Sequence, residues 1–222
     1  CIVLPLLAAE DVDSVVARAR EAFAHWRWTS IAERKALCER FMTAFAAMGD
    51  EVARKITMQM GKPLRQAQNE VNGMLDRARY MIDIAEETLR DEYLPEKPGF
   101  TRYIRHEPKG VVLDIAAWNY PLLIAVNVIV PAVLAGNAVI VKHSSKTPLC
   151  GRAFTEAFAK AGAPDGLVQD IIADHAVTEC FIRHPGVNHV SFTGSVRGGR
   201  EVSVAAAGRF IDVGLELGGK AP

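Results

Sequence analysis

The sequence predicts an α/β fold in which a parallel sheet is flanked by helices and is preceded by a helical N-terminal part and a protruding strand. Three observations predict it. Apolar residues recur at helical spacing before residue 90, three prolines interrupt that pattern between 91 and 108, and short apolar strands alternate with helices after Gly110. Such alternation is typical of a parallel sheet, because a helix returns the chain to the edge where the next strand starts.

The first 90 residues predict four helices, because apolar side chains recur there every three or four positions among charged ones. The predicted helices are 12–23, 30–48, 51–60 and 66–89. Ser30 and Glu33 have the spacing of a capping box at the start of the second helix. Residues 1–90 are therefore predicted to be the helical part of a larger domain.

Residues 91–108, DEYLPEKPGFTRYIRHEP, form a separate segment. Its prolines frame FTRYIRH, in which apolar and polar residues alternate. This pattern predicts an exposed strand or one arm of a hairpin.

Residues 109–222 predict five strands with helices between them. The strands are VVLDIAAW, AVIVK, LVQDIIA, HVSF and FIDVGLELG. Helices start at Pro121 and Pro148, where proline suits the first helical position, and two more end near His184 and Ala207. We therefore predict a Rossmann-like core over 109–222.

Composition excludes several classes of partner. Among 222 residues, 26 basic side chains balance 26 acidic ones, which argues against nucleic acid or an anionic membrane surface as the main partner. The cysteines have neither disulfide nor metal-ligand spacing, so we expect no metal site and a reducing, cytoplasmic setting. They are Cys1, Cys38, Cys150 and Cys180. The apolar start CIVLPLLAAE lacks a basic region and is not expected to be a signal peptide.

The uncharged stretch 115–141 is long enough to span a membrane. The pair Gly136-Asn137 interrupts it, however, and Pro121 can start a helix inside it. A helix from Pro121 to that pair, followed by a strand, accounts for the stretch better, so we expect no membrane span.

The carboxyl ends of parallel strands are where open sheets bind ligands. Asn119, in the turn before Pro121, either satisfies local backbone groups or offers an amide to an oxyanion. Lys142, closing an apolar strand, either reaches solvent or hydrogen-bonds a ribose.

Two further strand ends leave similar alternatives. Gly194 and Ser195 stand at a strand-to-helix junction, where free N–H groups favour a phosphate, although a tight turn also uses such a glycine. Glu216 is predicted to face away from Leu215 and Leu217, and it is either a solvated strand residue or a general base.

Four motifs in this order, WNYP, LAGNAVIVKHSSKTPL, VSFTGSVRGG and LELGGKAP, resemble the aldehyde dehydrogenase superfamily from about Ile104 to the last residue. MGKP at 60–63 is similar to the same superfamily. MGKP, VKH and TGSVRGG together are similar to a bacterial branch that includes succinate-semialdehyde dehydrogenases. The resemblance implies NAD(P)-dependent oxidation of an aldehyde, with succinate semialdehyde as one candidate, to the carboxylic acid.

The resemblance also implies a role for each candidate residue. Asn119 would be the side-chain donor of the oxyanion hole, and Glu216 would be the base that activates water to hydrolyse a thioester. Lys142 would bind the adenosine ribose, and Ser195 would contact the pyrophosphate. The implied cofactor-binding residues are Ala117, Trp118, Lys142, Ser145, Gly194, Ser195 and Leu217.

The sequence departs from the family pattern at two places in the cofactor region. Ser145 stands where many NAD-preferring members carry a glutamate, which would repel a 2′-phosphate, so either NAD or NADP is expected, and Lys146 can assist the latter. DHAVTE at 174–179 replaces the usual glycines after LVQDIIA.

The family's nucleophile is a cysteine beyond LELGGK, and none of the four cysteines here has that context. We therefore expect this chain to be the cofactor-binding half, without the catalytic cysteine domain and inactive alone. FTRYIRHEP is similar to one strand of the family's oligomerisation hairpin, which implies a homo-oligomer, a dimer or a tetramer. The alternatives are a non-catalytic nucleotide-binding or assembly module, or a relative that transfers its thioester to phosphate or coenzyme A.

Overall fold

A computed structural model describes residues 4–218. The helices are α1 Val12–Trp26, α2 Ile31–Met60, α3 Leu64–Thr88, α4 Pro121–Leu134, α5 Pro148–Lys160, α6 His175–Arg183 and α7 Val196–Ala207. The strands are β1 Glu92–Tyr93, β2 Tyr103–Ile104, β3 Val111–Ala116, β4 Ala138–His143, β5 Val168–Ile171, β6 His189–Gly194 and β7 Asp212–Leu217. Cys1 and residues 219–222 of the LELGGKAP motif lie outside the described residues.

Five strands form one parallel sheet in the order β5-β4-β3-β6-β7. From the central strand β3, the chain builds outward to β4 and β5 on one side and then to β6 and β7 on the other. This reversal leaves a crevice outside the carboxyl ends of β3 and β6, because the connecting helices leave in opposite directions there. The predicted parallel α/β fold and its five strands are confirmed.

Helices cover both faces of the sheet. On one face Val141 of β4 lies against Gly151 of α5, and on the opposite face Leu217 of β7 lies against Gly199 of α7. All residues of β3 and β4 are buried. This explains why their sequences are almost continuously apolar rather than alternating.

The uncharged stretch 115–141 is divided between the end of β3, helix α4 and most of β4. The prediction of a helix from Pro121 is confirmed. Across residues 4–218, no helix combines the length and the apolar character that a bilayer crossing requires.

The N-terminal part contains three long helices rather than four. Ser30 forms the predicted capping box, in which its Oγ accepts from the Glu33 N–H and the Glu33 carboxylate accepts from the Ser30 N–H. The predicted break between 48 and 51 is wrong, because α2 continues through Gly49. A Cβ at Gly49 would lie 3.1 Å from Cγ1 of Val71, so the glycine allows α3 to approach closely. This packing outweighs the roughly 1 kcal/mol that glycine costs within a helix.

Aromatic packing joins the N-terminal helices to the sheet layer. The Phe41 ring of α2 stacks on the Phe158 ring of α5 with centroids 4.1 Å apart, and Phe45 contacts Phe154 at 5.2 Å. All four side chains are fully buried. The helical part and the sheet therefore share one hydrophobic core.

Strands β1 and β2 pair antiparallel and form an arm separate from the main sheet. The predicted exposed strand is confirmed, since both β1 and β2 are exposed along their length. Tyr93, Phe100 and Ile104 leave more than half of their surface accessible. The arm therefore exposes several large apolar side chains to solvent.

Asp114 is an acidic residue in the middle of the apolar strand β3. It is 1 % exposed, and within residues 4–218 neither carboxylate oxygen has a hydrogen-bond partner. Burial raises the pKa of the Asp114 carboxyl well above its usual value. The carboxyl group therefore stays protonated in the folded chain at pH values where it ionises in the unfolded chain.

The difference in unfolding free energy between Asp114→Asn and the parent chain should grow in favour of the variant as the pH rises. In the parent, the folded state holds a proton that the unfolded state has lost, so folding becomes less favourable with rising pH by up to about 1.4 kcal/mol per pH unit between the unfolded and folded pKa values. The neutral amide lacks this penalty. Urea unfolding of both chains at pH 5 and pH 8 measures the effect, and an equal stability difference at both pH values would contradict it.

Candidate cofactor and active site

A cleft of about 1360 Å³ opens at the carboxyl edge of the sheet, at the place where the strand order reverses. The ends of β3, β4, β6 and β7 form its floor, and α6 and α7 form one wall. All nine site residues predicted from the sequence line this cleft. They are Ala117, Trp118, Asn119, Lys142, Ser145, Gly194, Ser195, Glu216 and Leu217.

The turn after β3 carries Trp118 and Asn119, and Pro121 starts α4 immediately afterwards. The Asn119 side chain is exposed at the cleft, and within residues 4–218 its amide forms no hydrogen bond. The Asn119 backbone carbonyl instead accepts from Nζ of Lys62, at 2.9 Å. The turn is thus held through its backbone, which leaves the Asn119 amide available to a ligand.

Lys142 lies near the end of β4 and is 7 % exposed. Burial lowers the pKa of its ammonium group, and the nearby Asp174 carboxylate acts in the opposite direction. No hydrogen bond from Nζ to another residue of the described part of the chain is formed. A buried cation without a fixed acceptor is costly, so this position suits a ligand that brings acceptors.

The loop after β4 brings Ser144, Ser145 and Lys146 to the same rim of the cleft. Nζ of Lys146 lies 4.2 Å from the centroid of the Trp118 ring, at cation–π distance. This contact joins the loop after β4 to the turn after β3. The rim next to Ser145 therefore carries a positive charge.

The end of β6 leads directly into α7. Ser195 is the N-cap residue, and its Oγ accepts from the Gly198 N–H at 3.1 Å. The glycines here allow close packing rather than unusual backbone angles: a Cβ at Gly194 or Gly198 would lie within 2.7 Å of the Phe192 ring. The first N–H groups of α7 and the positive end of its dipole face the cleft, as an anion site requires.

Glu216 lies on β7, opposite Thr193 of β6. Its side chain is exposed and lines the cleft. Leu217 packs against Gly199 of α7, and yet 40 % of its surface is accessible. Glu216 and Leu217 thus both line the cleft, and the leucines of β7 stay partly exposed because β7 is an edge strand of the sheet.

Several side chains of the cleft were missed by the sequence analysis. They come from α6 and α7 and include His175, Thr178, Glu179, Arg183, Arg197 and Arg200. Asp174 caps α6 by accepting from the Val177 N–H at 2.8 Å. The DHAVTE segment is therefore a capped helix start, and an N-cap aspartate after an apolar strand was the available signal.

The cysteines of residues 4–218 do not line the cleft. Cys38 and Cys150 are buried, and burial raises the pKa of each thiol to about 12. Cys180 is exposed on α6. The two buried thiols are therefore unreactive packing residues at neutral pH.

Comparisons with known proteins agree in pointing to one family. The chain is 37% identical over 220 residues to 3,6-anhydro-alpha-L-galactose dehydrogenase of Streptomyces coelicolor, covering 99% of this chain and 44% of that protein. It is 35% identical over 215 residues to succinate-semialdehyde dehydrogenase [NADP(+)] 1 of Mycobacterium tuberculosis, covering 96% and 47%.

Among solved structures, succinic semialdehyde dehydrogenase from Streptococcus pyogenes in complex with NADP+ superposes with a TM-score of 0.92 at 29% identity, covering 99% of this chain and 48% of that one. The chain thus spans about half the length of the relatives it matches. The sequence profile of the aldehyde dehydrogenase family matches residues 2–222. The chain therefore belongs to the aldehyde dehydrogenase family.

Proposed function

We propose that this chain forms the NAD(P)-binding half of an enzyme that oxidises an aldehyde to the carboxylic acid. The observation that carries the proposal is the convergence of nine candidate residues, from four separate strand ends, on one cleft. The membership of the aldehyde dehydrogenase family supports it. The S. coelicolor and M. tuberculosis relatives are both named as dehydrogenases.

The cleft suits an adenine dinucleotide. Lys142 offers ammonium donors to ribose hydroxyls from a nearly buried position. Ser195 and the uncapped N–H groups of the first turn of α7 offer donors to a pyrophosphate. Bound NAD(P) supplies the hydride acceptor, and the chain supplies its binding and orientation.

NADP is accepted together with NAD in this proposal. Ser145 carries no charge that would repel a 2′-phosphate, and Lys146 adds a positive charge at the same rim. The M. tuberculosis and S. pyogenes relatives, whose names specify NADP, support this assignment.

The oxidation needs a thiolate that attacks the aldehyde carbon. No cysteine within residues 4–218 lines the cleft, and the relatives are about twice as long as this chain. We infer that the nucleophile belongs to the half of the relatives' length that this chain does not span. The 222-residue chain alone should then produce no aldehyde-dependent NAD(P)H.

Asn119 and Glu216 serve different steps. The Asn119 amide donates to the oxyanion that forms when the thiolate attacks the aldehyde carbon. After hydride transfer, Glu216 takes a proton from the water that hydrolyses the thioester. A water-activating base favours hydrolysis over transfer of the thioester to phosphate or coenzyme A.

The substrate class stays an aldehyde, with succinate semialdehyde as one candidate. The names of the two curated relatives specify different substrates, 3,6-anhydro-alpha-L-galactose and succinate semialdehyde, at similar identities to this chain of 37% and 35%. We also propose that the arm formed by β1 and β2 contributes to a homo-oligomer, because its large apolar side chains are exposed. A cytoplasmic location is part of the same proposal.

A second candidate is a nucleotide-binding or assembly module without catalysis. The absence of a cysteine from the cleft lining within residues 4–218 favours it. An assay of aldehyde-dependent NAD(P)H formation distinguishes the two candidates. The assay is run on the 222-residue chain and on a longer polypeptide, which contains this sequence and has the full length of the relatives. This longer polypeptide is called the full-length enzyme below.

The 222-residue chain should bind NADP with an affinity within about tenfold of that for NAD, a difference of about 1.4 kcal/mol. Ser145→Glu should weaken NADP more than NAD, because it places a carboxylate beside the 2′-phosphate. Calorimetric titration with both cofactors measures this. An NADP affinity several hundredfold below that for NAD in the parent chain would contradict the role given to Ser145.

Lys142→Ala should weaken both cofactors by about 10- to 100-fold, the loss expected for a hydrogen bond from a charged donor. The matched control is Lys55→Ala, which removes a partly buried lysine on α2 that does not line the cleft. Equal cofactor affinities for Lys142→Ala and the control would show that Lys142 does not bind the ribose.

In the full-length enzyme, Asn119→Ala should slow the first burst of NAD(P)H by about 10²–10³, because acylation loses an oxyanion donor. Glu216→Gln should keep much of the burst and slow steady turnover by about 10²–10⁴, because only thioester hydrolysis loses its base. Stopped-flow absorbance and mass spectrometry of the trapped thioester measure both.

The controls for this pair are Asn72→Ala and Glu87→Gln, which make the same chemical changes at exposed positions on α3. Both should leave the burst and the turnover unchanged. Turnover of Glu216→Gln at the parent's rate would make Glu216 a solvated strand residue.

A further inference from the structure

The corner between α2 and α3 carries the MGKP motif and a buried pair of charges. Gly61 ends α2 in the left-handed conformation, and Pro63 precedes the first residue of α3. The side chains of Lys62 and Glu70 are 8 % and 1 % exposed, and they form an ion pair. Neither side chain lines the cleft, so direct contact with a bound dinucleotide does not explain the pair.

The two charged groups of the pair bind backbone groups of the turn after β3 and of the first turn of α4. Nζ of Lys62 donates to the Asn119 carbonyl at 2.9 Å and lies 4.1 Å from the centroid of the Tyr120 ring. Oε1 of Glu70 accepts from the Leu122 N–H at 2.8 Å. The pair therefore holds the chain on both sides of the Asn119–Pro121 bend.

The first turn of α4 depends on this contact, because Tyr120 at the N-cap position provides no side-chain acceptor. Glu70 replaces the missing cap and also bonds the Leu123 N–H at 3.4 Å. A carboxylate at this place is additionally favoured by the positive end of the α4 dipole. The backbone of the bend is thus fixed from the N-terminal helices rather than by its own residues.

A buried ion pair contributes little net stability, because desolvation of the two charges offsets most of their attraction. Replacing such a pair by apolar residues of similar volume often leaves the free energy of unfolding unchanged or raises it. The arrangement is better explained by what it holds in place. An oxyanion donor works only when its position is fixed before the charge develops.

We propose that Lys62 and Glu70 are positioning residues that fix the Asn119 amide for the acylation step. This inference rests on the oxyanion role given to Asn119 above. Neither residue lines the cleft, so both act through the backbone of the bend rather than on a substrate. Their effect should therefore vanish when the Asn119 amide is removed.

The decisive experiment is a double-mutant cycle on the burst of NAD(P)H in the full-length enzyme. Lys62→Met should slow the burst by about 10- to 100-fold, as expected for a small displacement of a catalytic group. In an Asn119→Ala background, the same substitution should change the burst by less than about twofold. Cofactor affinity should fall by a smaller factor than the burst rate, because Lys142 and Ser195 lie at the ends of β4 and β6, away from the bend.

Glu70→Gln is the second variant, because it removes the charge but retains an oxygen that can accept from the Leu122 N–H. It should give a smaller loss of burst rate with the same dependence on Asn119. The matched control is Lys55→Met with Glu51→Gln, which removes an ion pair of 2.7 Å whose side chains are 32% and 65% exposed. The control should leave the burst unchanged. An equal loss with and without the Asn119 amide, or a parallel loss of cofactor affinity, would overturn the proposal.

Amide hydrogen exchange in the 222-residue chain tests the same idea without activity. In Lys62→Met, the Leu122 amide should exchange about tenfold faster than in the Lys55→Met control, which corresponds to about 1.4 kcal/mol of lost protection. If Asn119→Ala leaves the burst of the full-length enzyme unchanged, the oxyanion role is wrong. The exchange measurement alone then tests whether Lys62 and Glu70 fix the backbone of the bend. Unchanged exchange at Leu122 would then overturn this positioning role.

Discussion

The first N–H groups of the helices beside the sheet constrain how the cleft is built, because a helix leaves these donors without intrahelical acceptors. At α6 and α7 the acceptors are local, since Asp174 and Ser195 cap their own helices. At α4 and α5 the N-cap residues give no side-chain bond, and the acceptors come from a distance. Glu70 of α3 reaches the start of α4, and Gln59 of α2 reaches the start of α5. The loops after β3 and β4 are therefore tied to the N-terminal helices, whereas the wall formed by α6 and α7 caps itself.

His143 completes this connection inside the protein. Burial lowers the pKa of His143 to about 4, so the ring is neutral at physiological pH. One ring nitrogen then donates to the Pro121 carbonyl at 3.0 Å, and the other accepts from the Thr147 hydroxyl at 3.3 Å. The start of α4 and the loop after β4 are thus joined to each other by a buried ring that does not titrate at neutral pH.

Local patterns in the sequence were enough to predict the strands, the helices from Pro121 and Pro148, and the residues at the strand ends. Parallel strands bring their carboxyl ends to one edge, so nine residues chosen by position alone line one cleft. The continuity of α2 was not predictable, because it depends on the packing of Gly49 against a residue in α3. The bond from Lys62 to the Asn119 carbonyl joins positions 57 residues apart, and no local pattern encodes it. The burial of Asp114 likewise has no local signal in the sequence, because it follows from the central place of β3 in the sheet.

The outermost position of β7 has a consequence for handling the protein. Within residues 4–218 no further strand pairs with its outer edge, and Leu215 and Leu217 are 38% and 40% exposed. An edge of this kind presents a row of backbone donors and acceptors to any other strand that approaches it. Copies of the 222-residue chain can therefore join edge to edge without unfolding. For the isolated chain, association through this edge depends on the concentration of the chain and needs no loss of the native core.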